Sequence, residues 1–547
     1  MEKPPVRSAT EHGKPGRVLL LGVLTGVVVL AAGTFVFRDP QYRAVRVLNA
    51  VYSLIDARAV QSPDSDSLLV AAADGMMSTL DPYCEFLSPS RREVFREATE
   101  GLYCGIGIEM VIYDGKITVV SPIQGSPADQ AGVRAGDRII TIDKEPAVGI
   151  TTGEAMRRLR GPRGTKIEIG VERPGMDYAL TFELVRDEIV VRPIPFAGLS
   201  PDSIGYVRLI RFLPGAAEML DSILQDFLAR GARTWILDLR GNPGGLLDQA
   251  IDVAGCFLPR GALVCETRGR SRFAGSSLYT ASVPVSVTVP LVVLIDGGSA
   301  SASEIVAAAI ADHHRGVIVG RRSFGKGLVQ SQGMLDGDYG LQLTTARYYT
   351  PGGYTFFHPW RSEGEDTTAM DRPDDEPGGL RPHVEVPAQG LFVAEVELMR
   401  RGEYLNLVAA AGSGDRGISF DDLWRGFHDS LAVRGPELST PVTLAVARAE
   451  SAAASSPLAA EWRAAFSRWG VPIAADRAAE LARAMPRLKL RLAEALVLYG
   501  GKSGRFLTDY LALDNDTRRA AEILKDLGRY RELLAAPATS DTGRPGL

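Results

Sequence analysis

Three serines alternate in one stretch, Ser299, Ser301 and Ser303 of "DGGSASASEIVAAAIADHHRGVIVGRRSFGKGLVQ" (Asp296 to Gln330). The same stretch holds two adjacent histidines and one lysine between two glycines. A serine hydroxyl becomes a nucleophile when a base takes its proton, so the questions are which serine and which base. The nucleophile-elbow pattern Gly-x-Ser-x-Gly fails, because the window reads Gly297-Gly298-Ser299-Ala300-Ser301. His313 and His314 lie about 12 residues beyond Ser301 on the same expected helix, roughly 18 Å away at the helical rise. That is too far for a hydrogen bond, and the C-terminal end of a helix welcomes their partial positive charge. His12, His358, His383 and His428 are scattered through the N-terminal tail, an insert and a helical tail. A Ser-His-Asp triad is not supported.

Lys326 fits better. Gly325 and Gly327 flank it just before an expected strand, which suits a lysine whose backbone packs closely. Burial favours the neutral amine, and only the neutral amine takes a proton from a serine. Ser-Lys pairs are a known variant of triad logic. Gln330 is four residues on, so in a strand it shares the face of Lys326 and reaches its amine.

The elements around these residues are read from periodicity. "LVVLIDG" is a continuous apolar run of the kind found in buried parallel strands, and "SEIVAAAIADHH" reads as a helix. The serines therefore stand where a strand turns into a helix with unpaired N–H groups. The plain alternative is an N-cap, with Glu304 favourable to the helix dipole. An oxyanion formed there would meet free N–H donors. From Ser203 to Thr350 strands and helices alternate, as in an α/β layered domain with crossover connections.

Residues 101–187 read differently, as short strands with one helix between. "GIGIEMVIYDGKITVVSPI" carries a hairpin with Asp-Gly at its turn. This order and the phrase "SPADQAGVRAGDRIITID" resemble a PDZ domain. The resemblance places a carboxylate-binding loop at Gly105-Ile106-Gly107-Ile108, with a peptide adding as a strand beside it.

"SASASEI", "RSFGKGLVQ" and "DLRGNPGG" (Asp238 to Gly245) resemble the three signature segments of the C-terminal processing peptidases, also called tail-specific proteases. The likeness runs from about residue 45 to 390. It implies Ser301 as nucleophile, Lys326 as general base and Gln330 as a third member. It also implies an oxyanion hole from the N–H of Ala302 and of Gly244 or Gly245. Asp312 matches a family aspartate, given a structural role here, and Arg160 matches an arginine linked to gating. The implied fold is α/β and multidomain, a crotonase/ClpP-like peptidase core with an inserted PDZ domain and helical N- and C-terminal regions. The implied reaction is peptide-bond hydrolysis through an acyl-enzyme, with no cofactor and no metal, on protein C-termini. This chain departs from the family in an insert at about 353–379 and in "GLRPHVEV", where His383 stands at a usual aspartate.

At 547 residues the chain exceeds one core. Its 61 Lys+Arg against 66 Asp+Glu give a net charge of −5 and no basic face, so no nucleic-acid partner is indicated. Val18 to Phe37 is uncharged for twenty residues, long enough to cross a membrane as a helix, with Lys14 and Arg17 before it. The expectation is a single-pass inner-membrane anchor with the N-terminus inside and the catalytic part periplasmic or extracytoplasmic. The expected organisation is a tail (1–17), the anchor (18–37), a helical region (41–98), the PDZ domain (101–187), the peptidase core (188–387) and a C-terminal helical region (388–547). Homodimerisation through the helical regions and a regulatory or adaptor protein are compatible partners. Cys84, Cys104, Cys256 and Cys265 suit an exported chain; proximity favours pairing 84 with 104 and 256 with 265, against free buried thiols. A catalytically silent PDZ scaffold and a non-peptidase acyl hydrolase are the competing functions.

Overall fold

The computed structural model describes residues 40–357, apart from short stretches at 62, 114, 174–175, 271–274, 281–283 and 336–337. It also describes 378–388, 419–434, 482–497 and 506–535. The expected anchor Val18–Phe37 and the core of the 353–379 insert lie outside these residues. Among the described residues no helix is long and apolar enough to cross a membrane.

The chain divides into two compact units, Met1–Ser88 and Pro89–Leu547. The described part of the first holds α1 (Pro40–Arg58), α2 (Ser65–Met77) and β1 (Glu85–Leu87). Asp64 caps α2 by accepting from the Ser67 N–H at 3.0 Å, satisfying one orphan donor of the first turn.

The second unit opens with α3 (Pro89–Glu100). β2 (Leu102–Gly105) then pairs antiparallel with the later β9 (Asp187–Val190). Between them β3 (Ile108–Tyr113), β4 (Lys116–Pro122), β5 (Arg138–Ile142), β7 (Lys166–Glu172) and β8 (Ala179–Val185) form one sheet in that order. β6 (Glu145–Pro146) sits beside β5. Tyr113 pairs with Lys116 across the β3–β4 hairpin that the sequence predicts, with Gly115 at φ +70. α4 (Pro127–Gln130) and α5 (Thr152–Leu159) complete the segment. Its own core includes Ile117, Val119, Ile139, Ile169 and Val171, each fully buried.

The larger sheet runs β10 (Phe196–Leu199), β11 (Ile204–Arg208), β12 (Thr234–Asp238), β15 (Leu291–Ile295), β16 (Val317–Gly320) and β19 (Val384–Glu385). β10 is antiparallel to β11, and the rest are parallel. Crossover helices α6 (Ala216–Ala229), α7 (Leu247–Gly255) and α8 (Ala302–Asp312) connect them. A second, antiparallel set orders β17 (Leu328–Met334), β18 (Gly340–Tyr349), β13 (Leu263–Arg268) and β14 (Ser276–Tyr279).

Side chains of the larger sheet alternate between two cores. Val207, Leu237, Val293 and Ile295 face α6 to α8. Tyr206, Ile236, Val292 and Leu294 face α9 (Phe420–Arg434), the helical run 482–497 and α10 to α12. These last are Leu507–Leu513, Asn515–Lys525 and Leu527–Ala535. All five residues of β15 are at 0% exposure, as a strand covered on both faces requires. Each such Leu, Ile or Val contributes about 1.5–3 kcal/mol by leaving water. The described C-terminal helices are thus one layer of a three-layer fold.

None of the four cysteines is joined in a disulfide, so neither proximity pair is formed. Cys256 is buried with its Sγ against the carbonyls of Ala217 and Asp252, and burial pushes its thiol up to about 12. Cys265 lies buried in β13.

Candidate active site

Three loops leave the C-terminal ends of β12, β15 and β16, carrying "GNPGG", "GGSAS" and "RRSFGKG" in turn. In a parallel sheet this edge is where sites form, because strand ends and helix starts meet there.

The serines separate by burial. Ser299 is at 0% exposure, and its hydroxyl donates to the Leu239 carbonyl at 2.8 Å. Ser303 is also at 0%, donating to the Asn242 carbonyl at 2.8 Å. Both are structural pins between the serine segment and the glycine loop. Ser301 alone is half-buried. Its backbone has φ +55 and ψ −113, a strained conformation for a residue with a side chain. The strand-to-helix elbow is therefore present without the glycine pattern that usually announces it.

Glu304 holds the elbow. It is fully buried, three residues after Ser301, and its Oε2 accepts from the Ser301 N–H at 2.8 Å. The same oxygen accepts from the Lys326 N–H at 2.9 Å, so the two backbone nitrogens lie no further apart than the sum of those lengths. Oε1 accepts from the Gly325 N–H at 2.7 Å and from the Ser323 hydroxyl at 2.5 Å. Burial, the largest influence, pushes the carboxyl up to about 7, while the Ser323 hydroxyl and the three N–H groups draw it down. The sequence assigned Glu304 only a favourable place in the helix dipole. The Ser-x-x-Glu spacing of a capping box was the signal for more.

Lys326 Nζ donates to Gln330 Oε1 at 3.2 Å, and both residues are half-buried. Lys326 precedes β17, and the ladder bulges between Val329 and Gln330, a device that re-aims side chains. The expected pair is together, by a bulged strand end instead of regular alternation.

The glycine loop closes over the elbow. A Cβ at Gly244, whose φ is +103, would lie 3.0 Å from the Ala302 nitrogen and from Ser301 Cβ. At Gly245 it would lie 2.2 Å from the Phe212 carbonyl oxygen. The Gly244 N–H donates to Asn242 Oδ1 at 2.9 Å. Among the described residues no protein acceptor meets the N–H groups of Gly245 and Ala302. Of the two glycines expected as oxyanion donors, Gly245 has the available donor and Gly244 the close packing.

Beneath the loop Asp238 is fully buried, accepting from the Tyr206 hydroxyl at 2.7 Å and from Arg240 Nη2 at 2.7 Å. Burial works against the charge, yet the Arg240 and Arg208 guanidiniums hold this carboxyl down at about 2. Arg240 also donates to the Tyr510 hydroxyl at 2.9 Å and to Asp514 and Asp516 at 2.8 Å each. Sequence reading missed the role of Arg240 because Asp514 and Asp516 stand 274 and 276 positions away.

His313, His314 and His383 are structural. His313 Nε2 meets the Leu263 carbonyl at 2.7 Å and His314 Nδ1 the Leu534 carbonyl at 3.0 Å. His383 Nδ1 accepts from the Ile318 N–H at 2.9 Å, with burial pushing the ring down to about 4. Asp312 accepts from the Gly352 N–H at 2.8 Å and the Tyr354 hydroxyl at 3.3 Å, which fixes the start of the insert.

A separate groove lies on the β2–β3 side of the smaller sheet, lined by Tyr103, Ile106, Ile108, Met110, Met156 and Arg160 among others. Gly105 ends β2 and Ile108 opens β3. Between them the N–H groups of Ile106 and Gly107 have no protein acceptor among the described residues. Gly107 has φ +75, and a Cβ there would strike Ser126 Cβ at 2.3 Å. Arg160 pairs with Glu97 and stacks over Tyr103 at 4.7 Å, so it is a fixed wall of the groove.

Two family profiles match the chain: peptidase family S41 over residues 203–362 and the PDZ domain over residues 118–173. The carboxy-terminal-processing protease of Bartonella bacilliformis is 40% identical over 316 residues, 57% of this chain and 72% of that one. CtpA of Bacillus subtilis, a carboxy-terminal processing protease, is 33% identical over 56% of this chain and 65% of its own length. The carboxyl-terminal-processing protease of Synechocystis is 36% identical over 51% and 66%. The chain belongs to peptidase family S41, the carboxy-terminal-processing proteases, and is a serine-type peptidase carrying a PDZ domain.

Proposed function

We propose that this chain is a membrane-anchored, extracytoplasmic endopeptidase that captures protein C-termini in its PDZ groove and cleaves them with Ser301 and Lys326. The observation that carries this reading is the shared Glu304 oxygen, which draws the Ser301 and Lys326 backbones together beside the Lys326–Gln330 contact. In the reaction Ser301 Oγ attacks the scissile carbonyl while the neutral Lys326 amine takes its proton. The oxyanion that forms meets the N–H groups of Ala302, at the start of α8, and of Gly245. The resulting ammonium returns the proton to the leaving amine, and the C–N bond breaks. Water, deprotonated by the same amine, then hydrolyses the acyl-serine. Gln330 orients the amine throughout.

The loop N–H groups of Ile106 and Gly107 suit a terminal carboxylate, and the apolar walls suit apolar side chains beside it. Arg160 is the candidate link from an occupied groove to the site. The anchor at 18–37 rests on its twenty uncharged residues. The parallel core with crossover helices is grouped with crotonase/ClpP-like layers on the same footing.

The test compares wild type with Ser301→Ala and Lys326→Ala on a reduced, carboxymethylated protein ending in Leu-Leu-Ala. Both variants should lose cleavage, and Met156→Asp in the groove should raise KM about tenfold while leaving kcat near wild type. Cleavage at the wild-type rate by Ser301→Ala and Lys326→Ala would refute the mechanism.

A further inference from the structure

Asp516 stands at the second position of α11, deep in the C-terminal helical layer, yet it is only 3% exposed because it faces the catalytic loops. Its Oδ2 accepts from Arg240 Nη1 at 2.8 Å and from Arg321 Nη1 at 3.1 Å, and its Oδ1 from Arg321 Nη1 at 3.2 Å. Arg240 begins the glycine loop after β12, and Arg321 begins the lysine loop after β16. Arg321 also approaches Asp296, at the start of the serine loop after β15, at 3.8 Å. Asp296 in turn accepts from the Gly241 N–H at 2.8 Å and the Gly298 N–H at 2.9 Å. Asp514, the N-cap of α11, adds a second 2.8 Å contact to Arg240.

We infer that Asp516 is a positioning residue: the C-terminal layer, through this carboxylate, sets the mutual registry of the oxyanion, nucleophile and lysine loops. The inference rests on the Ser301/Lys326 reading above. The physical argument is that each loop alone is irregular backbone, and irregular backbone holds sub-ångström registry only when tied at more than one point. Asp516 ties two of the three directly and reaches the third through Arg321 and Asp296. Buried charged pairs are directional, since a guanidinium fork accepts a carboxylate in a few geometries only. Helix α11 is itself pinned to the sheet by Ala520, Ile523 and Leu524, so the carboxylate is a fixed point. Binding is left to the separate groove near Arg160, far along the chain from this network, and so the effect of Asp516 falls on turnover.

The experiment uses the full chain and the same Leu-Leu-Ala test protein. Asp516→Asn keeps the shape and removes the charge, and kcat should fall about ten- to a hundredfold with KM within about twofold. Asp516→Glu should recover part of that loss. Leu496→Ala, buried in the helical run 482–497 of the same layer and outside α11, is the control for lost stability without a lost ion pair. The inference is overturned if Asp516→Asn keeps wild-type kcat, or loses no more than Leu496→Ala at an equal fall in Tm. If Asp516→Asn does not fold, Arg321→Gln decides instead, because it cuts the lysine loop from Asp516 and from Asp296 while leaving Arg240 on Asp516, and it should show the same split; wild-type kcat there overturns the inference. Ser301→Ala run alongside separates the two ideas. Full cleavage by that variant defeats the Ser/Lys reading itself, whereas an inactive Ser301→Ala beside a fully active Asp516→Asn defeats only the positioning role.

Discussion

The backbone N–H of Ser301 and the backbone N–H of Lys326 donate to one oxygen of the Glu304 side chain, at 2.8 and 2.9 Å. Two residues separated by most of a helix and a strand are thereby held on a common acceptor. The arrangement makes Glu304 as informative to perturb as either partner.

Glu304→Gln places an NH2 group among four donors, so at least one buried donor loses its acceptor. A loss of about 1–3 kcal/mol in unfolding free energy is expected, with a larger fall in kcat than in 1/KM. The pH dependence has a definite sign. With the folded carboxyl near 7 and its ordinary value at 4.5, the native state holds more protons between those values than the unfolded state. The stability advantage of wild type over Glu304→Gln should therefore shrink as pH rises from 4.5 to 7 and level off above. Ionisation over the same range strengthens all four hydrogen bonds, so ordering of the site should increase. Denaturant titrations at pH 4.5, 6 and 8 check this, and a pH-independent difference would contradict it.

Gly244→Ala and Gly245→Ala should fail in different ways. The first presses a methyl against Ser301 Cβ and the Ala302 nitrogen, both 3.0 Å away, and should lower kcat by at least about tenfold. The second meets the Phe212 carbonyl at 2.2 Å and forces the backbone apart. It should lose about 3 kcal/mol or more of stability. Thermal melts and steady-state kinetics on both variants distinguish the effects.

Gln330→Glu sets a carboxylate where Gln330 Oε1 now accepts from Lys326 Nζ at 3.2 Å. An adjacent negative charge favours the ammonium, which is inactive as a base. The rising limb of kcat/KM against pH should move to higher pH, so that activity lost at neutral pH returns in alkali. Gln330→Ala should lose activity with no such return. Identical pH profiles for wild type and Gln330→Glu would exclude Gln330 from orienting the amine.

What the sequence made legible follows the range of each interaction. Strand β15 and helix α8 were readable because apolar runs and helical spacing are local properties, and the Asp-Gly turn announced its hairpin. The choice of Ser301 came from resemblance; its physical reason is that Ser299 and Ser303 donate to Leu239 and Asn242 carbonyls on another loop. His313 and His314 were correctly set aside on distance along one helix. Glu304 was undervalued because a capping box and a buried four-donor acceptor look alike until Ser323 and Gly325 are seen folding back on it. Arg240 stood inside "DLRGNPGG", but its role was not legible there, since it depends on Tyr510, Asp514 and Asp516. The role of the helical tail was likewise hidden. Its apolar faces read as packing, but nothing local said that the partner was the second face of the central sheet.

That second face has a temporal consequence. Tyr206, Ile236, Val292 and Leu294 are translated well before Leu507, Tyr510 and Ile523, which cover them. During synthesis the sheet emerges with one side exposed, and folding proceeds from the N-terminal segments onward. A nascent chain therefore already contains Ser301, Lys326 and Gln330 while lacking the layer that completes its core. The second core of this chain is therefore completed only once translation has passed α12.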